Sequence, residues 1–222
     1  MAKRVSDTAK PKLLDLFCGG GGASMGYYLA GFDVTGLDIK PQPKYPFKFY
    51  LADALTFLID GFDAYHASPP CQKWSTATNI AGTKHLHKDL IQPIRERLKA
   101  TGKPYIIENI RGAPLVNPFY LCGTMFGLKL KRHRYFECSF DIYFAPATCS
   151  CKGKRGYTAA HRGYSSFKRN ANLICVAGHN FAANDGREAM GIDWVDKNTL
   201  REAIPPIYTQ YIGAHLLKDL KQ

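Results

Sequence analysis

Apolar positions come in short runs separated by polar, glycine-rich or proline-rich breaks, and the runs fall into two periodicities. Leu13-Leu14-Asp15-Leu16-Phe17 reads as a buried strand, followed by Cys18-Gly19-Gly20-Gly21-Gly22 and a helix from Ala23 to Ala30. Asp33–Asp38, Lys48–Leu51 and Ala64–Ala67 read as further strands, and Tyr105-Ile106-Ile107, ending in Glu108-Asn109, as another. Leu90, Ile91, Ile94 and Leu98 recur at helical spacing between Lys88 and Ala100, which predicts a helix covering one sheet face. Three prolines between Lys40 and Pro46 exclude a full helix there, and the polar stretch from Gln72 to about His87 predicts a long mobile loop. Leu121–Leu130 predicts a turn, Arg132–Glu137 a strand, and about Ile207–Lys218 a closing helix with Pro205-Pro206 at its first turn, docked near the first strand. Strands alternating with helices predict an α/β fold with an open, mostly parallel, Rossmann-like sheet.

Length adds that there is room for one core but not two complete domains in 222 residues. Residues 1–137 and 186–222 carry the strand and helix patterns, whereas 138–185 change to glycine, serine, cysteine and basic residues, so a small recognition insertion is expected there. A net charge of +12 favours a polyanionic partner, nucleic acid first, although an acidic membrane surface or a merely basic protein also fits. No apolar run approaches the ~20 residues of a membrane helix, and Met1–Lys12 is polar, so the expected location is the cytoplasm. Seven cysteines at irregular spacing predict reduced thiols and no disulfide framework.

Candidate chemistry then concentrates at the ends of the predicted strands. Ser68-Pro69-Pro70-Cys71-Gln72 follows the fourth strand, and two prolines force the chain out of the sheet and fix the backbone just before a thiol. Cys71 is a nucleophile candidate there, a buried structural cysteine being the alternative. Glu108 leaves the neighbouring strand end, where open parallel sheets bind ligands. The Gly19–Gly22 turn can admit a ligand close to the backbone at a helix N-terminus. Asp38, about 18 residues further on, suits a carboxylate gripping ribose hydroxyls, and Asp53 could accept from an adenine amino group. Arg132 and Arg134 share one strand face as a guanidinium pair for a carbonyl, carboxylate or phosphate. Lys84, His85 and His87 are either solvated or phosphate contacts. In the insertion, basic and aromatic residues interleave (Lys154-Arg155-Gly156-Tyr157, His161-Arg162-Gly163-Tyr164, Lys168-Arg169), as nucleic-acid-binding segments do. Cys138, Cys149, Cys151, His161 and Cys175 are potential zinc ligands, but the Cys-x-Cys spacing lacks a matching second pair, and no metal is expected.

Five of these stretches together resemble the cytosine-5 DNA methyltransferases, compact members from bacterial viruses in particular. They are Phe17-Cys18-Gly19-Gly20-Gly21-Gly22, Pro69-Pro70-Cys71-Gln72, Glu108-Asn109-Ile110, Arg132-His133-Arg134 and Ala203-Ile204-Pro205-Pro206, in the family's order. The resemblance implies a Rossmann-like S-adenosylmethionine-dependent methyltransferase sheet, with that compound as methyl donor and double-stranded DNA as partner. It implies that Phe17, Gly19, Gly21, Gly22, Asp38, Ile39, Asp53 and Pro70 hold the donor. Cys71 would attack carbon 6 of a flipped-out cytosine, Glu108 would act at ring nitrogen 3, and Arg134, supported by Arg132, would bind the ring carbonyl. Pro70, Gln72, Ser75, Asn109, Arg132 and Arg134 would contact the substrate. A monomer on DNA, in a bacterial or phage-infected cell and in a restriction-modification setting, is the matching expectation. Methylation of transfer RNA by the same chemistry and a catalytically silent DNA-binding protein are the alternatives; a nicotinamide dehydrogenase on the same glycine turn fits less well.

Overall fold

The computed structural model describes residues 9–144, 146–153, 156–157, 173–178 and 181–221. Seven strands form one sheet: β1 (Lys12–Leu16), β2 (Asp33–Asp38), β3 (Lys48–Leu51), β4 (Ala64–Ala67), β5 (Tyr105–Asn109), β6 (Phe119–Cys122) and β7 (His133–Cys138). Their order is β3-β2-β1-β4-β5-β7-β6. The first five run parallel, and β7 and β6 close the sheet antiparallel. This is the Rossmann-like α/β architecture that the alternation of elements predicts.

Successive strand side chains point to opposite faces, so the doubly apolar runs cover both. On one face Leu13, Val34 and Ile106 pack with Ala23 and Tyr27 of α1 (Gly22–Ala30) and Tyr208, Ile212 and Leu216 of the closing helix Pro206–Asp219. On the other, Leu14, Leu16, Leu37, Tyr65 and Ile107 pack with Ile91, Ile94 and Leu98 of the helix Ile91–Ala100. The first and last helices press together at Gly26, where an added Cβ would lie 2.0 Å from Thr209 Oγ1 and 2.1 Å from the Pro206 carbonyl. Thr209 Oγ1 in turn donates to the Ala23 carbonyl at 2.8 Å. A buried ion pair fixes the Ile91–Ala100 helix to β7: Arg95 donates to both Glu137 oxygens, at 2.8 and 2.7 Å.

Three expectations need correction. The stretch from Gln72 to His87 is not an irregular loop: it holds a 3-10 turn (Gln72–Trp74), the short helix α2 (Thr76–Ile80) and a second 3-10 turn (Lys84–Leu86). Thr78 Oγ1 stabilises it by donating to the Ser75 carbonyl at 2.9 Å. The helix expected from Lys88, α3, starts at Ile91; in the turn before it the Asp89 carboxylate accepts from the Ile91 N–H at 3.0 Å. Strand β6 lies inside what reads as loop and turn, its alternation too short to register.

Of the expected insertion, the structure describes a two-stranded parallel pair, β8 (Gly156–Tyr157) and β9 (Leu173–Ile174). Ile174 also pairs with the chain ahead of β7, through Lys131 N to its carbonyl (2.8 Å) and its own N–H to Lys129 O (2.7 Å). After it come α4 (Ala183–Met190), α5 (Lys197–Leu200) and α6, the closing helix, and Val176, Phe181, Met190, Ile192, Val195 and Leu200 pack with Leu130. Lys154, Arg155, His161, Arg162, Gly163, Tyr164, Lys168 and Arg169 lie outside the described residues.

Candidate active site

The carboxyl ends of β4 and β5 lie side by side, with Ala67 opposite Ile107. Beyond β4 the prolyl pair turns the chain, and Cys71 stands half-buried immediately before the first 3-10 turn, its carbonyl accepting from Trp74 N at 3.0 Å. Asn109 at the end of β5 donates through Nδ2 to the Pro69 carbonyl at 2.9 Å, which ties the two strand ends together. Asn109 thus positions the prolyl turn, and its side chain is buried.

Glu108 is buried, and Arg134 Nε from β7 lies 2.9 Å from its Oε1. The contact is an ion pair without hydrogen-bond alignment, so Oε1 has no aligned donor. Burial raises the carboxyl above its ordinary range, while Arg134 and Arg132 pull it down. The Cys71 thiol is raised mainly by burial; Arg134 favours its thiolate and the Glu108 charge opposes it. Cys71, Glu108 and Arg134 therefore form one electrostatic unit.

Arg132 is placed differently from the expected substrate contact. Its Nη1 bonds to the Val176 carbonyl, and its Nη2 to the carbonyls of Arg201 (2.8 Å) and Ala203 (2.7 Å). It bolts the C-terminal segment to the start of β7, and its carbonyl accepts from Tyr208 Oη at 2.6 Å. Its guanidinium is taken up by backbone carbonyls, whereas that of Arg134 lies against Glu108.

The glycine turn lies at the end of β1. Phe17 leaves the strand at φ 61 and Gly19 follows at φ 49, with nothing within 4 Å of where a Gly19 Cβ would project. Asp38, ending β2, accepts from Gly19 N at 3.0 Å and Lys40 N at 2.9 Å, one on each oxygen, leaving a lone pair on each for a ligand hydroxyl. Asp53 accepts from Leu55 N at 2.8 Å just past β3. Ile39 is exposed beside Asp38, and Pro70 and Gln72 are exposed beside Cys71, with Ser75 half-buried next to them. Gly22 serves packing: a Cβ there would meet the Ile204 carbonyl at 2.4 Å.

Sequence reading missed several participants. Asp15 is fully buried in β1; its Oδ2 accepts from the Ser24 hydroxyl and its Oδ1 has no partner. Ser24 Oγ also lies 2.7 Å from Tyr45 Oη, and the Tyr45 ring fills the space beside Gly21 and Gly36. Trp194 Nε1 donates to the Gly20 carbonyl at 2.8 Å, so a residue near the C-terminus steadies the glycine turn. A lone acid inside an apolar run was the available signal for Asp15; Tyr45 and Trp194 had none. In the segment that follows Cys71, a recess of about 470 Å³ is lined by Lys73, Asn79, Gly82, Lys84 and His85, with Lys84 Nζ 4.9 Å from the Trp74 ring centre.

Among the expected zinc ligands, Cys149 and Cys151 do come together, but Cys138 and Cys175 lie outside their cluster and His161 lies outside the described residues. Their neighbours are Cys122 and His133, from β6 and β7.

No protein-family model matches the chain, and no curated protein matches it in sequence. Solved structures do match in shape. A candidate DNA modification methyltransferase encoded within a prophage of E. coli superimposes with a TM-score of 0.65 at 15% identity, covering 96% of this chain and 100% of that one. The Entamoeba histolytica methyltransferase EhMeth gives 0.65 at 12% identity over 96% and 99%. The S. pombe Dnmt2 methyltransferase gives 0.61 at 14% over 96% and 100%. With its seven-stranded Rossmann-like sheet, the protein shares the α/β fold of these methyltransferase structures.

Proposed function

We propose that the protein is an S-adenosylmethionine-dependent methyltransferase that modifies carbon 5 of cytosine in double-stranded DNA through a covalent adduct at Cys71. The observation that carries this reading is the buried Glu108 carboxyl, with one oxygen lacking an aligned donor, held beside Arg134 and coupled to the Cys71 thiol on the adjoining strand end. The Glu108 charge reaches the Cys71 thiol, and the same Arg134 faces both groups, which a purely structural ion pair does not require. The glycine turn fits the donor: there is open space at Gly19, the Asp38 carboxylate bonds to the Gly19 N–H, and Asp53 follows the next parallel strand, β3. When bound there, S-adenosylmethionine supplies an electrophilic methyl group on a sulfonium.

The residues of the chain do the rest. Cys71, as thiolate, adds to carbon 6 of the ring, and the displaced electron pair moves toward ring nitrogen 3 and carbon 5. Protonated Glu108 donates to nitrogen 3, and Arg134 holds the ring carbonyl. While Glu108 holds its proton, before that transfer, it does not oppose the thiolate, and the Arg134 charge favours Cys71 ionisation. Carbon 5 would take the methyl group from the donor sulfonium, which would leave as a neutral thioether; loss of the carbon 5 proton to a base then re-forms the 5,6 double bond and expels Cys71 as thiolate, and nitrogen 3 returns its proton to Glu108. Neither face of a stacked base is open to this attack, so the cytosine is flipped out. Lys73, Lys84 and His85 then take the phosphates beside the opened site.

The test is trapping: the protein and S-adenosylmethionine are incubated with DNA that carries 5-fluorocytosine, so that carbon 5 is methylated before the adduct has to resolve. Fluorine at carbon 5 cannot leave as a cation, so the adduct stalls on the protein. A denaturing-gel adduct mapped by peptide mass to Cys71, formed with duplex DNA and absent with Cys71→Ser, is expected. Adduct formation on fluorinated RNA in place of DNA would move the substrate to RNA; no adduct on either polymer would refute the mechanism.

A further inference from the structure

Cys122, His133, Cys149 and Cys151 present one sulfur or nitrogen each, and the four ligand atoms all lie within 4.8 Å of one another. Cys149 Sγ and Cys151 Sγ are 3.3 Å apart, and they lie 3.5 and 3.4 Å from His133 Nε2. A tetrahedral ion with arms of about 2.3 Å to sulfur and about 2.0 Å to nitrogen has edges of about 3.5–3.8 Å, so the three measured edges are those of a metal cage drawn in slightly. A thiol–imidazole hydrogen bond accounts for any one of these pairs, but not for three thiols and an imidazole gathered at one point. We infer that these four side chains form a structural zinc site of the three-cysteine, one-histidine kind.

Backbone geometry builds the site before any ion arrives. Cys122 and His133 are direct partners across the antiparallel β6–β7 pair, which puts both side chains on one face of the sheet. Cys149 and Cys151 come from the chain beyond β7 and lie over that face, where Cys122, Cys151 and Leu173 form a small buried cluster. The Thr124 hydroxyl lies 3.4 Å from Cys122 Sγ and 3.5 Å from Cys149 Sγ, within donating distance of both sulfurs, and it accepts from Ser150 N at 3.2 Å. That is the kind of outer contact that orients thiolate ligands. Three thiolates and one imidazole in a closed tetrahedron suit zinc over calcium or magnesium, which take oxygen ligands. With no open position among four protein ligands, the ion is structural.

Its consequence follows from where His133 sits. Strand alternation turns His133 away from the face that carries Arg134 and Glu108, so the ion stands behind the candidate active site and outside its chemistry. It would clamp the β6–β7 hairpin and pin the beginning of the basic insertion, through Cys149 and Cys151, to the strand that carries Arg134.

The experiment uses the full chain, expressed in zinc-supplemented medium and purified under reducing conditions. Elemental analysis should find one zinc per chain, released when the thiols are titrated with an organomercurial and detected by a metallochromic dye. Cobalt(II) exchanged into the site should show tetrahedral visible bands and thiolate-to-cobalt charge transfer. Losing an outer contact typically lowers affinity 10- to 100-fold, so Cys149→Ser, which removes a ligand, should weaken zinc binding by more than about 100-fold. Cys138→Ser and Cys175→Ser should each keep a full equivalent. Substoichiometric zinc with no cobalt charge transfer in the unmodified protein would overturn the site, as would a mass showing a Cys149–Cys151 disulfide in the reduced preparation. Full zinc in Cys149→Ser would assign the ion to other ligands. The cobalt spectrum of the unmodified chain decides the matter even where the Cys149→Ser variant fails to fold.

Discussion

Asp15→Asn should stabilise the protein above neutral pH and do little for it in acid. Asp15 is fully buried, and burial, opposed by the Ser24 hydrogen bond, raises its pKa from 3.8 to about 7. Native Asp15 therefore keeps its proton over a range in which the unfolded chain has released it. Below the unfolded value both states are protonated and the side chain costs nothing. Between the two values stability falls by about 1.4 kcal/mol per pH unit, and above the native value the loss is constant at about 4 kcal/mol. An asparagine of the same shape has no charge to lose. It also reproduces the protonated acid's unpaired donor at the position of Oδ1, which has no partner. The assay is urea unfolding of both proteins at about pH 5 and about pH 8, with the stability difference between them as the readout. That difference should move in the variant's favour by about 3 kcal/mol across the interval. His66, the partner of Asp15 across β1 and β4, has its pKa lowered by burial to about 3 and gives an opposite slope, losing stability as pH falls below the ordinary histidine value. Both proteins contain it, so it cancels. Equal differences at the two pH values would show that Asp15 ionises freely in the folded protein and would refute the reasoning.

Glu108→Gln should lower the single-turnover methylation rate by about 10²- to 10³-fold while DNA binding changes little, because an amide cannot deliver the proton to the ring; an unchanged rate removes Glu108 from the chemistry. Glu137→Ala leaves Arg95 charged and buried, together with the Val116 N–H that now bonds to Glu137 at 2.8 Å, and should cost about 3–5 kcal/mol in denaturant titration. A cost below about 1 kcal/mol would mean that water reaches the pair. Gly26→Ala should destabilise by at least about 3 kcal/mol, since its Cβ would fall 2.0 Å from Thr209 Oγ1 and 2.1 Å from a backbone carbonyl, and thermal unfolding reads it directly.

Much of the sheet was legible because each central strand is a short apolar run closed by a glycine, proline or acid. Ala64–Ala67, Lys48–Leu51 and Asp33–Asp38 have the bounds that periodicity assigns them. Cys71 and Glu108 could be put on adjoining strand ends from the parallel-sheet rule alone, and β4 does pair with β5. What stayed hidden depends on register or on distant sequence. The side-by-side placement of Cys122 and His133 is a property of strand pairing, which no spacing motif encodes. Arg132 and Arg134 share a face, as alternation requires, yet one reaches backbone carbonyls near the C-terminus and the other reaches Glu108. Alternation sets direction and says nothing about what stands there. Tyr45 and Trp194 reach the glycine turn from a proline-rich segment and from near the C-terminus, beyond any local pattern.

The seam between the first and last helices also governs how the chain can be made. Synthesis runs from the amino end, so β1 through β5 and all of residues 138–180 leave the ribosome before Thr209, Ile212 and Leu216 exist to cover Ala23 and Tyr27. Until then one face of the nascent sheet stays apolar and bare, beside a strongly basic segment, and the completing contacts span nearly the whole sequence. Such non-local closure is slow and exposed to aggregation.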